Sequence, residues 1–393
     1  MSVESNIRKL FCDRFFSSFW IAAPIIVPFY QSNGLNATQV FTIQAIFSAA
    51  CLVFEIPTGY LSDVIGRKKT MIAGAALLPI GLAVYAFSHG FFGFVAAEII
   101  IALANSLRSG TDTAFLYDTL IELKREKEHK RLEGTGHFLS STGVGVAAVI
   151  GGLLSTLSLR TPFYANGLVF CVLLPLAISM REPKREAQTR KPMKEHGAEL
   201  VKAVRYCLHH YEIRNAAIYS AILESTGIIG IWTYFLYYGK LGIGLGYYGI
   251  IAAAFGFING TGGKLAHAVE AKIGRTAALS LPLLIAPSFL FLGQMQTIYA
   301  LPLIYLNAFL WGFATPLLRD FVHQRTPSRI RATTLSVVSM GGRICYVLIA
   351  VPVGKIIDMY SLQTAHMFLG AVFLMVGSLA LLSLFSQRRV AEH

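Results

Sequence analysis

Charge is scarce in this sequence. Only 14% of its 393 residues are Asp, Glu, Lys or Arg, and 54% are hydrophobic. A soluble globular chain is usually about a quarter charged, so the deficit excludes an ordinary soluble domain and points to a polytopic membrane protein. Cysteine is sparse too. The five cysteines, Cys12, Cys51, Cys171, Cys207 and Cys345, are odd in number, scattered and in no CxxC spacing. They read as small core hydrophobes and not as a metal or disulfide set. No HExxH, GxSxG or GxxxxGK[ST] motif occurs. No enzyme is expected, no cofactor or metal, and no bound ATP as energy source. The opening "MSVESNIRKLFCDRFF" lacks a small-residue cleavage site after a short apolar core and reads as a retained end. The net charge of +13 does not imply nucleic acid, because the bases fall in the short breaks between apolar runs.

What is abundant is apolar length. A helix needs about 20 such residues to cross a bilayer, and about twelve stretches meet that need. They lie near 11–31, 37–58, 70–88, 91–117, 134–157 and 162–180, then near 214–238, 246–266, 276–294, 298–318, 333–356 and 363–385. These are spans one to twelve below. Lys and Arg gather in alternate connections: Arg8, Lys9 and Arg14; Arg67 to Lys69; Lys124 to Arg131; the 181–214 segment; Lys264, Lys272 and Arg275; Arg319 to Arg331; Arg388 and Arg389. The other connections hold only Arg160, Lys240 and Lys355. The positive-inside rule therefore expects both termini in the cytoplasm and the chain in the cell inner membrane.

The halves repeat one another. Asp118 closes span four as Asp320 closes span ten, and "RLEGTGHFLSS" from Arg131 resembles "RIRATTLSVVS" from Arg329. "GYLSD" from Gly59 has a worn copy in Gly263-Lys264-Leu265-Ala266-His267, with Gly274-Arg275 following. The expected fold is all-α, with twelve transmembrane helices in two six-helix pseudo-symmetric halves, 1–180 and 213–393, joined by a cytoplasmic linker, 181–212. The linker's "GAELVKAVRYCLHHYEIRN" reads either as a solvated connection or as a basic amphipathic helix on the inner membrane face.

The connection "GYLSDVIGRKK", residues 59–69, resembles the signature of the major facilitator superfamily, and "EIPTG" before it resembles a bacterial branch rich in drug exporters. Two further family motifs are altered. Arg108-Ser109-Gly110 shortens the span-four arginine motif, and alanines replace the central Gly-Pro of the span-five antiporter motif at 143–152. The resemblance implies alternating access with a cytoplasmic gate. In it Asp63 meets the start of span eleven, Arg67 pairs with Asp118, Arg275 and Asp320 form the mirror pair, and Gly59 and Gly66 let the backbone turn and approach closely. Because His267 stands where Asp63 stands in the first copy, the mirror half is expected to latch more weakly.

Polar side chains inside spans are candidate functional groups. Glu98, Asn105, Arg108, Ser109 and Asp112 fall within roughly 100° on one helix face, and Arg108 and Asp112 are spaced to pair, either functionally or as a structural pair. In span seven Glu224 has no obvious partner on its own helix, and Arg343 of span eleven is the nearest intramembrane base in the same half. Asp112, Glu224, Arg108 and Arg343 are the proton-coupling candidates. Asp13 and Glu55 read as structural, and His366 as packed. In the family fold, spans one, four, seven and ten line the cavity, so Trp20, Glu98, Asn105, Tyr234, Asn307 and Trp311 are cavity candidates, with core packing the alternative for the tryptophans. The expected function is secondary active transport of an organic small molecule, proton-coupled and outward. The alternative is an importer or facilitator of an anionic metabolite. The expected partners are the substrate, protons or another coupling ion and the lipid bilayer, with the monomer as the working unit.

Overall fold

The structure is a computed structural model, described for residues 3–184, 193–328 and 330–386. Of the basic residues placed on the cytoplasmic side, Arg329, Arg388 and Arg389 lie outside the described residues, as do His393 and the 185–192 part of the linker. The described residues are helical, without a strand. Among the described residues, ten helices are long and apolar enough to cross a membrane. The other two of the twelve segments depart from a plain apolar helix for visible reasons. Leu245–Ile273 is a continuous helix, but glycines and Asn259 dilute its apolar character. The first segment is broken into Ser5–Ser17, a short turn Ala23–Ile25 and Ile26–Ser32.

A break inside a membrane leaves backbone groups without helical partners, and each must find another. Asn166 supplies them: its Oδ1 accepts from the Ala22 N–H at 3.2 Å and its Nδ2 donates to the Phe19 carbonyl at 3.2 Å. The glycine-rich helix His129–Ser155 packs against this break. The space where Gly151 would carry a Cβ is taken by the Ile21 carbonyl, and that of Gly143 by the Phe15 carbonyl. Phe19, Ile21 and Ala147 form the buried cluster between them.

Two compact units emerge. The first comprises Met1–Leu35, Ile46–His196 and Gly244–Ala253, the second Asn36–Ala45, Gly197–Ile243 and Ala254–His393. Within the first, Arg160 ties three connections together. It donates to Asn33 Oδ1 at 2.9 Å, the Ser88 carbonyl at 3.0 Å and His89 Nδ1 at 2.7 Å, and also reaches the Ala86 carbonyl. This explains an arginine on the side poor in bases. Within the second, Asp358 caps the helix Ala37–Ile65, accepting from the Ala37 N–H at 3.0 Å and the Thr38 N–H at 2.7 Å. Carboxylates are favoured there by the helix dipole.

Candidate functional site

Span four does not run through as one helix. Phe91–Arg108 ends, Gly110 turns at φ 72°, and Thr111–Glu122 begins. Glycine adopts that left-handed backbone without steric cost. The turn re-aims everything after it, so the single stripe expected from Glu98 to Asp112 does not form. Arg108 and Asp112 do not pair.

Each pairs instead with the first helix. Arg108 Nη2 lies 2.6 Å from Asp13 Oδ2, and Arg14 Nε lies 3.0 Å from Asp112 Oδ2. Arg14 also grips Glu133 with both terminal nitrogens, at 3.0 and 2.8 Å, and donates to Thr113 Oγ1 at 3.2 Å. A two-pronged arginine–carboxylate contact fixes orientation as well as charge. Asp13 is fully buried and the Arg14 and Arg108 side chains are only 7% and 9% exposed. Asp13 thus belongs to the cluster that sequence reasoning left it out of. Two atoms inside it, Asp13 Oδ1 and Arg108 Nη1, are buried without a hydrogen-bond partner.

Glycines make room for these side chains. A Cβ on Gly74 would stand 2.6 Å from Arg108 Cγ, and one on Gly136 would meet Arg14 Nη1. Glu133, which the sequence reading missed, carries one signal: it is spaced 3 residues before Gly136 on the helix face whose glycines meet the first segment.

The signature connection is built around Arg67. Its Nε lies 2.6 Å from Asp118 Oδ2 and its Nη1 3.5 Å from Asp63 Oδ1. Gly66 carries the turn at φ 105°. The helix Arg67–Phe87 then begins with exposed backbone donors, and Glu182 caps them: the Arg67 N–H donates to Oε1 at 2.9 Å and the Lys68 N–H to Oε2 at 2.8 Å. Glu182 lies in the segment read as linker and was not foreseen. Neighbouring bonds hold it in place, with Arg181 N–H to Asn6 Oδ1 at 2.9 Å and Lys184 N–H to Glu122 Oε2 at 2.7 Å. Gly59 plays no part in the turn. It lies within a helix, with open space where its Cβ would be.

The second unit repeats the arrangement with a changed register. Gly274 turns at φ 82°, and Arg275 reaches Glu270 at 2.5 Å, Asp320 at 3.2 Å and Gln324 at 2.9 Å. The acid of the second copy is therefore Glu270, and His267, 66% exposed, lies 3.4 Å from it. Aligning "GYLSD" with "GKLAH" placed His267 opposite Asp63. Counting back from the turning glycine comes within one residue: Glu270 stands four before Gly274, Asp63 three before Gly66.

The remaining candidates divide into enclosed and open. Glu98 is enclosed: Tyr85 O–H donates to it at 2.5 Å and Tyr30 O–H at 3.3 Å, with Phe29, Phe94 and Phe163 packed around the two tyrosines. Tyr234 and Asn307 bond one another at 2.8 Å, both buried, with Phe289 and His366 beside the Tyr234 ring. Trp20 stands edge-on to Phe170 and Trp311 covers Gly227; both, like Asn105, are half-buried. Glu224 is half-buried and makes no ion pair among the described residues. Its carboxylate fills the place of a Cβ on Gly342, and Arg343 and Arg319 are the cations whose fields reach it.

The pattern of the Major Facilitator Superfamily matches residues 15–350. An uncharacterised MFS-type transporter of Methanocaldococcus jannaschii is 26% identical over 170 residues, covering 42% of this chain and 42% of the relative. The methyl viologen resistance protein SmvA of Salmonella typhimurium is 25% identical over 228 residues, covering 57% of this chain and 43% of its own length. The matches thus span less than half of these relatives. The fold of the nucleoside transporter NupG superposes with a TM-score of 0.80 at 13% identity, over 98% of this chain and 99% of that one. A POT family transporter crystallised with 5-aminolevulinic acid gives 0.73 at 13%, over 96% and 95%. The twelve helical segments, the signature connection with its paired arginine and the match across most of the sequence lead to one conclusion: the chain belongs to the major facilitator superfamily, a multi-pass membrane protein with the fold of its transporters.

Proposed function

We propose that the protein is a secondary active transporter that exports an organic small molecule by alternating access, coupled to protons, as a monomer in the inner membrane with both termini cytoplasmic. The observation that carries this reading is the interlocked cluster of Asp13, Arg14, Arg108, Asp112 and Glu133 in the first unit. Isolated charges in a membrane are costly. A cluster that shares two arginines among three carboxylates re-partners at small cost when one carboxylate gains a proton. Asp112 is the member best placed to do so, being 27% exposed and held to Arg14 by a single contact. In the second unit Glu224 has the same freedom, with two arginines near and none bonded. The Arg67 and Arg275 clusters are the proposed gate elements, made of partly exposed pairs that are individually worth only about 0–1 kcal/mol and so can release. Trp20, Asn105 and Trp311 remain the proposed substrate contacts. Export of an organic compound is supported by the similarity to a methyl viologen resistance protein.

An importer or facilitator of an anionic metabolite is the second reading. It is favoured by Arg343, half-buried and without an ion pair among the described residues. Purified protein in liposomes separates the two. With a pH gradient and a compound panel, export requires counterflow of protons, while the facilitator reading requires equilibration that a protonophore leaves unchanged.

A further inference from the structure

The helix Met193–His209 is not a membrane span, yet it shows an apolar stripe to its surroundings. Val201, Val204 and Leu208 are 58%, 38% and 57% exposed. Their spacing of i, i+3 and i+7 places them on one face. The opposite face is the packed one. Ala203 and Cys207 are buried, and Tyr206 donates its hydroxyl to the Arg325 carbonyl at 3.2 Å. Burial pushes the Cys207 thiol upward from its ordinary value, as expected of an inert packed cysteine. The stripe is therefore left over after the helix has packed.

Beside the stripe runs a basic row. Lys202, Arg205 and His209 are exposed, and neither Lys202 nor Arg205 has an ion-pair partner among the described residues. After His210 in extended conformation, the chain enters the span Tyr211–Lys240 directly. The stripe and the row thus lie within a few turns of the membrane surface. An apolar face flanked by unneutralised bases is the pattern of a helix lying in the lipid headgroup region.

We infer that Met193–His209 docks on anionic phospholipid, Val201, Val204 and Leu208 entering the acyl boundary and Lys202 and Arg205 contacting phosphate. This rests on the chain's membrane setting and not on the transport reading. Docking would anchor the start of the second unit, to which Gly197–His209 belongs and in which Tyr206 bonds Arg325.

The test uses the full chain with its native cysteines replaced and spin labels on single cysteines at 202, 204 or 208. Vesicles are phosphatidylcholine with or without phosphatidylglycerol, and monodisperse elution confirms folding. In phosphatidylglycerol vesicles, labels at 204 and 208 should relax with oxygen, which dissolves in the bilayer. The label at 202 should relax with a water-soluble nickel chelate. Lys202→Gln with Arg205→Gln should weaken docking about 25-fold, at about fivefold per base at low salt, and return labels 204 and 208 to the nickel chelate. Nickel access at 204 and 208 in both vesicle types overturns the inference. So does access to neither reagent, which would mean that protein covers the stripe. Oxygen preference that ignores both phosphatidylglycerol and the double substitution also overturns it, because the bases would then read no headgroup.

Discussion

Asp13→Val strips the buried Arg108 guanidinium of its carboxylate. The two groups are 2.6 Å apart, Asp13 is fully buried and Arg108 is nearly so, so water cannot compensate. Removing one partner of a buried pair costs about 3–5 kcal/mol, because the survivor remains charged in a poor solvent for charge. Arg108→Met should cost a similar amount by leaving Asp13. Removing both together leaves no stranded charge, and apolar replacement of a buried pair is often neutral. The double variant should therefore be nearer to wild type than either single one, with a coupling of at least about 3 kcal/mol. For a unit of about 200 residues, each single change should lower the melting temperature by about 6–20 °C. Arg131→Gln is the control. It breaks a contact with Glu128 in which the arginine is 73% exposed, and such contacts are worth about 0–1 kcal/mol. Thermal unfolding of the four purified proteins in detergent reads the cycle. Singles that melt within about 3 °C of wild type, or a double that loses the sum of the singles, would refute the pairing argument.

Gly151→Ala should destabilise by about 1–3 kcal/mol, since its methyl meets the Ile21 carbonyl. Gly145→Ala on the same helix has open space and should gain up to about 1 kcal/mol; parallel melts of the two compare them directly. At the signature connection, Arg67→Asp and Asp118→Arg should each impair transport and, combined, recover part of it, whereas no recovery in vesicle assays would reduce the pair to a topology signal. Cysteines at positions 63, 194 and 393 should resist impermeant labelling from outside sealed cells, and ready labelling at 194 would invert the topology.

The helical segments were legible because a bilayer demands about 20 apolar residues in a row, a constraint visible without tertiary knowledge. The signature was legible because its charges and its turning glycine sit close together in sequence. The expected pairs Arg67–Asp118 and Arg275–Asp320 are present, but the partners of Arg14 and Arg108 were not legible. Helix spacing pairs Arg108 with Asp112 only if the helix continues, and Gly110 ends it. Asp13, Glu133 and Glu182 come to their arginine or backbone partners from distant sequence positions, where no local period connects them. The glycines that house Arg14, Arg108 and Glu224 look in sequence like any others of a membrane helix. Only the close approach of a second element distinguishes Gly74, Gly136 and Gly342 from Gly145. The acid of the second copy was hidden by a shift of register: Glu270 lies one residue further from its turning glycine than Asp63 does from Gly66.

Coupled transport is tested most directly with the purified protein in liposomes under an imposed pH gradient, followed with a panel of organic cations, nucleosides and anionic metabolites. The account expects at least one compound to move against its own gradient in exchange for protons, and a protonophore to abolish that movement. Asp112→Asn and Glu224→Gln should abolish uphill movement while leaving exchange at least partly intact. Uphill movement at the normal rate in both variants would contradict the assignment of the proton, and the absence of any gradient-driven movement in the native protein would contradict the account itself.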